Sequence, residues 1–234
     1  MRAWIAVGFF AAALSGCVAV ETTSPPPAPS GPVPDRVSSD NAVANFRAAV
    51  RRMEPVAEAV CRQQTNGIDC DFLIQVDPNR NAPPNAFQSL SRSGRPILTF
   101  TQSLIADARN VDEIAFVIGH EAAHHIEQHL AEQRQSAAAG AILGNLIGTV
   151  AGANASTVDT LSRAGATVGA RRFSKENELE ADALGTIITA RAGYDPVRGA
   201  AFFNRIPDPG DQFLGTHPPN AERIATVRRV AAGL

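Results

Sequence analysis

The sequence predicts a mostly helical α+β domain with a small β-sheet. Apolar residues recur at helical spacing from about residue 42 and again after residue 110, while two short apolar runs between them are bounded by Asp, Pro and Gly. The chain has 234 residues, 44% of them hydrophobic, which suits one domain of about residues 40–234 with a sizeable core. Its net charge of -2, with both signs interspersed, gives no electrostatic footprint for nucleic acid and no polybasic run for an anionic membrane surface.

The elements follow in order. Residues 1–16, MRAWIAVGFFAAALSG, combine an early arginine with an apolar run too short to span a bilayer, as a secretory signal does. Leu14-Ser15-Gly16-Cys17 resembles a bacterial lipobox, which implies a lipidated Cys17 and anchoring to a membrane without a transmembrane helix. No Asp follows Cys17 to signal inner-membrane retention, so the expected location is the outer membrane, facing the periplasm. Residues 17–39 hold six prolines and few apolar residues, the composition of an extended spacer.

The domain opens near Asp40 with Ala42, Val43, Phe46, Val50 and Met53, a helix expected to break or restart at Pro55. Export to an oxidising compartment favours a Cys61–Cys70 disulfide, with Asn66-Gly67 supplying the turn that brings the ends together. Strands are expected at Phe72–Val76 and Ile97–Thr101. Asn110 reads as the N-cap of a helix running to about Gln135, with Glu113 as an acidic residue in its first turn. Glycines 140, 144, 148 and 152 align on one helical face; close helix packing or a flap over a cleft is favoured there over a membrane span, because Asn145 interrupts the run. A helix should contain Lys175–Ala190, Gly193-Tyr194-Asp195-Pro196 should end it and start another, and the last helix should begin at Asn220.

The chemistry concentrates in His120-Glu121-Ala122-Ala123-His124. Histidines four apart on a helix are roughly 40° apart around it and one turn apart along it, so both imidazoles reach one tetrahedral zinc ion. Glu121, beside that face, is placed to take a proton from a water that the metal makes acidic. His125 and His129 fall roughly 140° and 180° from His120 on a straight helix and are assigned no metal; one packed or hydrogen-bonded and one solvated histidine is the expectation. In Glu178-Leu179-Glu180-Ala181-Asp182, Glu178 offers a third ligand and Asp182, one turn on, an acceptor for the free N–H of a ligating histidine. Glu176 and Glu180 read as solvated charges, although spacing alone leaves Glu180 open as the ligand.

These two motifs, H-E-x-x-H and E-x-E-A-D, resemble those of the M48 family of zinc metallopeptidases, and the likeness extends over about residues 40–234. Asn85-Ala86-Phe87, the run Ile97–Thr101, Gly193-Tyr194-Asp195-Pro196 and His217-Pro218-Pro219 followed by Arg223 stand in the family's order. The resemblance implies a zincin-like (gluzincin) domain with its sheet beside the active-site helix and one Zn2+ per chain. It implies His120, His124 and Glu178 as ligands, Glu121 as general base and Asp182 as the support of a ligand. It also implies an exposed edge strand, here Ile97–Thr101, on which an extended substrate adds as another strand. In related outer-membrane quality-control members a histidine of the H-P motif approaches the zinc; His217 matches it, either as a fourth ligand that makes the enzyme latent or as an ordinary loop residue. Arg223 reads as a structural salt bridge in preference to transition-state support. The implied function is a lipid-anchored endopeptidase acting on unfolded or misassembled envelope proteins. The alternative is a latent, chaperone-like zinc protein that aids outer-membrane protein assembly.

Overall fold

The computed structural model describes residues 38–172, 174–206 and 218–234; the leader, Cys17, the Pro-rich spacer and His217 lie outside the described residues. Helix α1 (Ser39–Gln64) runs uninterrupted through Pro55, contrary to the expected break. Ala49, Met53, Ala57, Val60 and Cys61 are all buried on one stripe that continues across the proline. That burial offsets the helix penalty of about 3 kcal/mol that an internal proline carries. The disulfide between Cys61 and Cys70 forms as expected, with Gly67 turning the intervening loop at φ 82. Closing a loop of sequence separation 9 contributes about 2–3 kcal/mol in the chain-entropy picture.

The sheet has three strands in the order β1-β3-β2, with β1 (Leu73–Val76) parallel and β2 (Ala86–Leu90) antiparallel to β3 (Pro96–Phe100). This corrects the expected edge: the run around Ile97–Thr101 is the central strand, and β2 borders the cleft. The burial pattern gives the reason. Leu98, Thr99 and Phe100 are buried, as suits a strand covered on both sides, whereas β2 exposes Phe87 and Leu90 and has one edge without a strand partner.

Helix α2 (Gln102–Asp107) leads to α3 (Val111–Ile126), the buried centre of the domain. The start of α3 is fixed as its sequence suggests: Asn110 Oδ1 accepts from the Glu113 amide at 3.0 Å, and Glu113 accepts from the Arg109 amide at 2.8 Å. Arg205 grips the same Glu113 carboxylate through two bonds of 2.8 and 2.7 Å. The helix does not continue to Gln135. It stops at Ile126, Gln128 turns the chain in the left-handed region at φ 59, and α4 (His129–Val150) leaves in a new direction.

Helix α4 pairs closely with α5 (Ala155–Arg172). A Cβ at Gly140 would stand 2.1 Å from the Gly165 carbonyl oxygen, and one at Gly144 2.1 Å from that of Leu161, so the glycine stripe serves close packing. Among the described residues no helix is long and apolar enough to cross a membrane. Helix α6 (Ser174–Arg191) lies along α3, followed by α7 (Pro196–Gly199) capped by Asp195, a 3₁₀ turn (Ala200–Asn204) and α8 (Asn220–Ala231).

Candidate active site

The site forms where α3 and α6 cross. A Cβ at Gly119 would stand 2.8 Å from the Gly185 carbonyl oxygen, and one at Gly185 2.9 Å from the His120 amide nitrogen. Only glycines permit that approach, which seats Glu178 and Asp182 of α6 against His120 and His124 of α3.

The donor atoms converge as the sequence reading expects. His120 Nε2 and His124 Nε2 are 3.0 Å apart, His120 Nε2 is 3.5 Å from Glu178 Oε2, and His124 Nε2 is 3.4 Å from Glu178 Oε1. Zinc held by bonds of about 2.0–2.1 Å has tetrahedral edges of about 3.3 Å. These three spacings therefore fit a zinc ion held by two imidazoles and a carboxylate, the one metal-binding group found among the described residues.

Behind His120, its Nδ1 lies 3.0 Å from Asp182 Oδ1, and Arg223 donates to both oxygens of Asp182 at 2.7 and 2.8 Å. Arg223 also reaches Glu178 Oε2 at 3.3 Å and stacks over the Phe203 ring at 4.0 Å. Arg223 is thus a buried cation that pairs with Asp182 and also reaches Glu178. Burial alone would raise the Asp182 pKa, but the hydrogen bonds from Arg223 and His120 outweigh it and hold the carboxyl below its ordinary value. For His120 burial works downward, yet hydrogen bonds to Asp182 and then Glu178 prevail and raise it to about 9 without metal. An anionic Asp182 accepts the Nδ1 proton and leaves Nε2 for a metal.

Glu121 is buried and lines a cleft of about 720 Å³ together with His120, His124 and Glu178. Asn85, Phe87 and Gln88 on and just before β2 form one wall, and His129, Leu130 and Gln133 at the base of the helical hairpin form another.

Of the two remaining histidines, His125 takes the packed role of the expected pair and His129 departs from the solvated one. His125 is packed, its Nε2 donating to the Asp69 carbonyl at 2.7 Å and its ring edge-on to Phe72. His129 is not solvated: it is 5% exposed, with Nδ1 2.9 Å from His124 Nδ1 and Nε2 3.2 Å from Glu180 Oε2. Glu180 is therefore no isolated surface charge. The only sequence signal for His129 was its place nine residues after His120, which a straight helix puts on the opposite face. The break at Gln128 brings it back.

Comparison with known proteins agrees with this geometry. The model of peptidase family M48 matches residues 51–231. Mitochondrial metalloendopeptidase OMA1 of Saccharomyces cerevisiae is 30% identical over 177 residues, 70% of this chain and 48% of that protein. The β-barrel assembly-enhancing protease of Escherichia coli K12 is 33% identical over 138 residues, 52% of this chain and 28% of that protein. A putative protease of the same description from Vibrio cholerae is 32% identical over 142 residues, 55% of this chain and 29% of that protein. The chain thus spans about half or less of the length of these curated relatives.

Proposed function

The chain belongs to peptidase family M48, whose members are zinc-dependent metallopeptidases, and on that premise we propose that it is an endopeptidase hydrolysing unfolded or misassembled proteins of the bacterial envelope. The observation that carries this reading is the convergence of His120, His124 and Glu178 at 3.0–3.5 Å beneath an open cleft that Glu121 also lines.

His120, His124 and Glu178 would hold the zinc, which when bound would supply Lewis acidity toward a scissile carbonyl and an attacking water. Glu121 accepts the proton of that water and returns it to the leaving amine. Asp182, kept anionic by Arg223, holds His120 in the tautomer that presents Nε2. The outer edge of β2 offers backbone groups to an extended substrate, a mode that reads main chain before side chain and favours unfolded polypeptide. Two relatives are named for enhancing β-barrel assembly, which supports envelope proteins as the substrate class. The leader, the lipobox-like residues before Cys17 and the Cys61–Cys70 disulfide support attachment to a membrane facing an oxidising periplasm.

Incubating the purified mature chain with an unfolded, alkylated model protein tests this. Cleavage is expected, stopped by a zinc chelator and restored by added zinc, while the folded substrate stays intact. Cleavage indifferent to chelation, or none by zinc-loaded protein, overturns the reading.

A further inference from the structure

We propose that His129 and Glu180 form a positioning couple for His124, fixing its tautomer independently of the Asp182–Arg223 pair that serves His120. The inference rests on the zinc reading of the site above. It begins with hydrogen-bond polarity. An ionised carboxylate only accepts, so Glu180 Oε2, 3.2 Å from His129 Nε2, requires the proton of His129 to sit on Nε2. His129 Nδ1 then carries a lone pair, and at 2.9 Å it accepts from His124 Nδ1–H. His124 is left with an unprotonated Nε2, the atom that faces His120 Nε2 at 3.0 Å and Glu178 Oε1 at 3.4 Å. With both imidazoles neutral, as metal binding requires, each step follows from the one before it, and the last presents a lone pair to the metal.

The couple is built by tertiary structure. His129 is the first residue of α4 and turns toward His124 only because Gln128 adopts a left-handed conformation. Glu180 lies two residues from both Glu178 and Asp182, and two residues along a helix is roughly 200° of rotation, so it leaves α6 on the side facing α4. Asn177, also on α6, donates to Glu132 of α4 at 3.2 Å and fastens the two helices near this point. The two ligating histidines are therefore supported from opposite directions, His120 by α6 and α8, His124 by α4 and α6.

Zinc affinity, measured by competition with a chromophoric chelator, tests the couple in the full mature chain. His129→Phe keeps the volume and removes the acceptor; it is expected to weaken zinc binding about 10–100-fold. His129→Asn, whose Oδ1 can stand where Nδ1 stood, is expected to remain within about threefold of the unaltered protein. Glu180→Met, which removes the acceptor at a side chain 63% exposed, is expected to weaken it several-fold, and the zinc-free forms should unfold at the same urea midpoint. Affinity unchanged in folded His129→Phe overturns the proposal; if that variant does not fold, unchanged affinity in Glu180→Met does so. Failure of the unaltered chain to bind zinc overturns the zinc reading instead.

Discussion

Glu121→Gln is expected to lower kcat/KM for an unfolded substrate by about 10²–10⁴-fold, the usual scale for removing a positioned general base. The amide matches the carboxylate in shape but cannot accept the proton. Glu121 stands outside the converging set of His120, His124 and Glu178, so the variant should carry as much zinc as the unaltered chain. Metal analysis beside steady-state kinetics checks both halves. Undiminished cleavage by zinc-loaded Glu121→Gln would remove Glu121 from the mechanism. A variant that keeps a β-barrel assembly function while losing cleavage would favour the chaperone-like alternative.

The second large effect is expected at Arg223. Arg223→Ala leaves Asp182, fully buried, without its bidentate partner, and breaking a buried pair from one side costs about 3–5 kcal/mol. The pH dependence should change as well. In the unaltered protein the Asp182 pKa is depressed, so its contribution is present above the unfolded value near 3.9 and is lost as pH falls below it. Without Arg223 the burial that remains pushes the Asp182 pKa above that unfolded value, so acidification toward about pH 4 relieves an uncompensated charge and stabilises the variant, in a range where Asp182 of the unaltered protein stays ionised and contributes no slope. Urea unfolding between about pH 4 and 7 reads the slope. Replacing both residues with apolar ones of similar size should recover much of the stability without recovering zinc affinity, because His120 Nδ1 then has no acceptor.

The central strand shows why the sheet was only partly legible. The family resemblance put the substrate edge at Ile97–Thr101, yet Leu98, Thr99 and Phe100 are buried and the strand lies between two others. Both of its neighbours are edge strands among the described residues, and of the two Ala86–Leu90 is the one that borders the cleft around His120 and Glu121. Pro55 was read as a helix break from a local rule, and burial of Met53 and Ala57 on either side overrode it.

Local spacing by itself paired His120 with His124 and Glu178 with Asp182, while the choice of Glu178 over Glu180 as third ligand came from the family resemblance. His120 and His124, and again Glu178 and Asp182, are one helical turn apart, and covalent helix geometry puts each pair on one face in any fold. The Asn110 cap and the disulfide, a nine-residue separation with a turn between, were likewise written locally. What only the tertiary structure decided is which faces meet. The approach of Gly119 to Gly185, the reach of Arg223 from α8 to Asp182, and the return of His129 to His124 depend on where helices end and cross. One residue, Gln128 at φ 59, moves His129 from the far side of a helix to the back of the site. Periodicity holds only while a helix continues, so where it stops the positions that follow are set by packing.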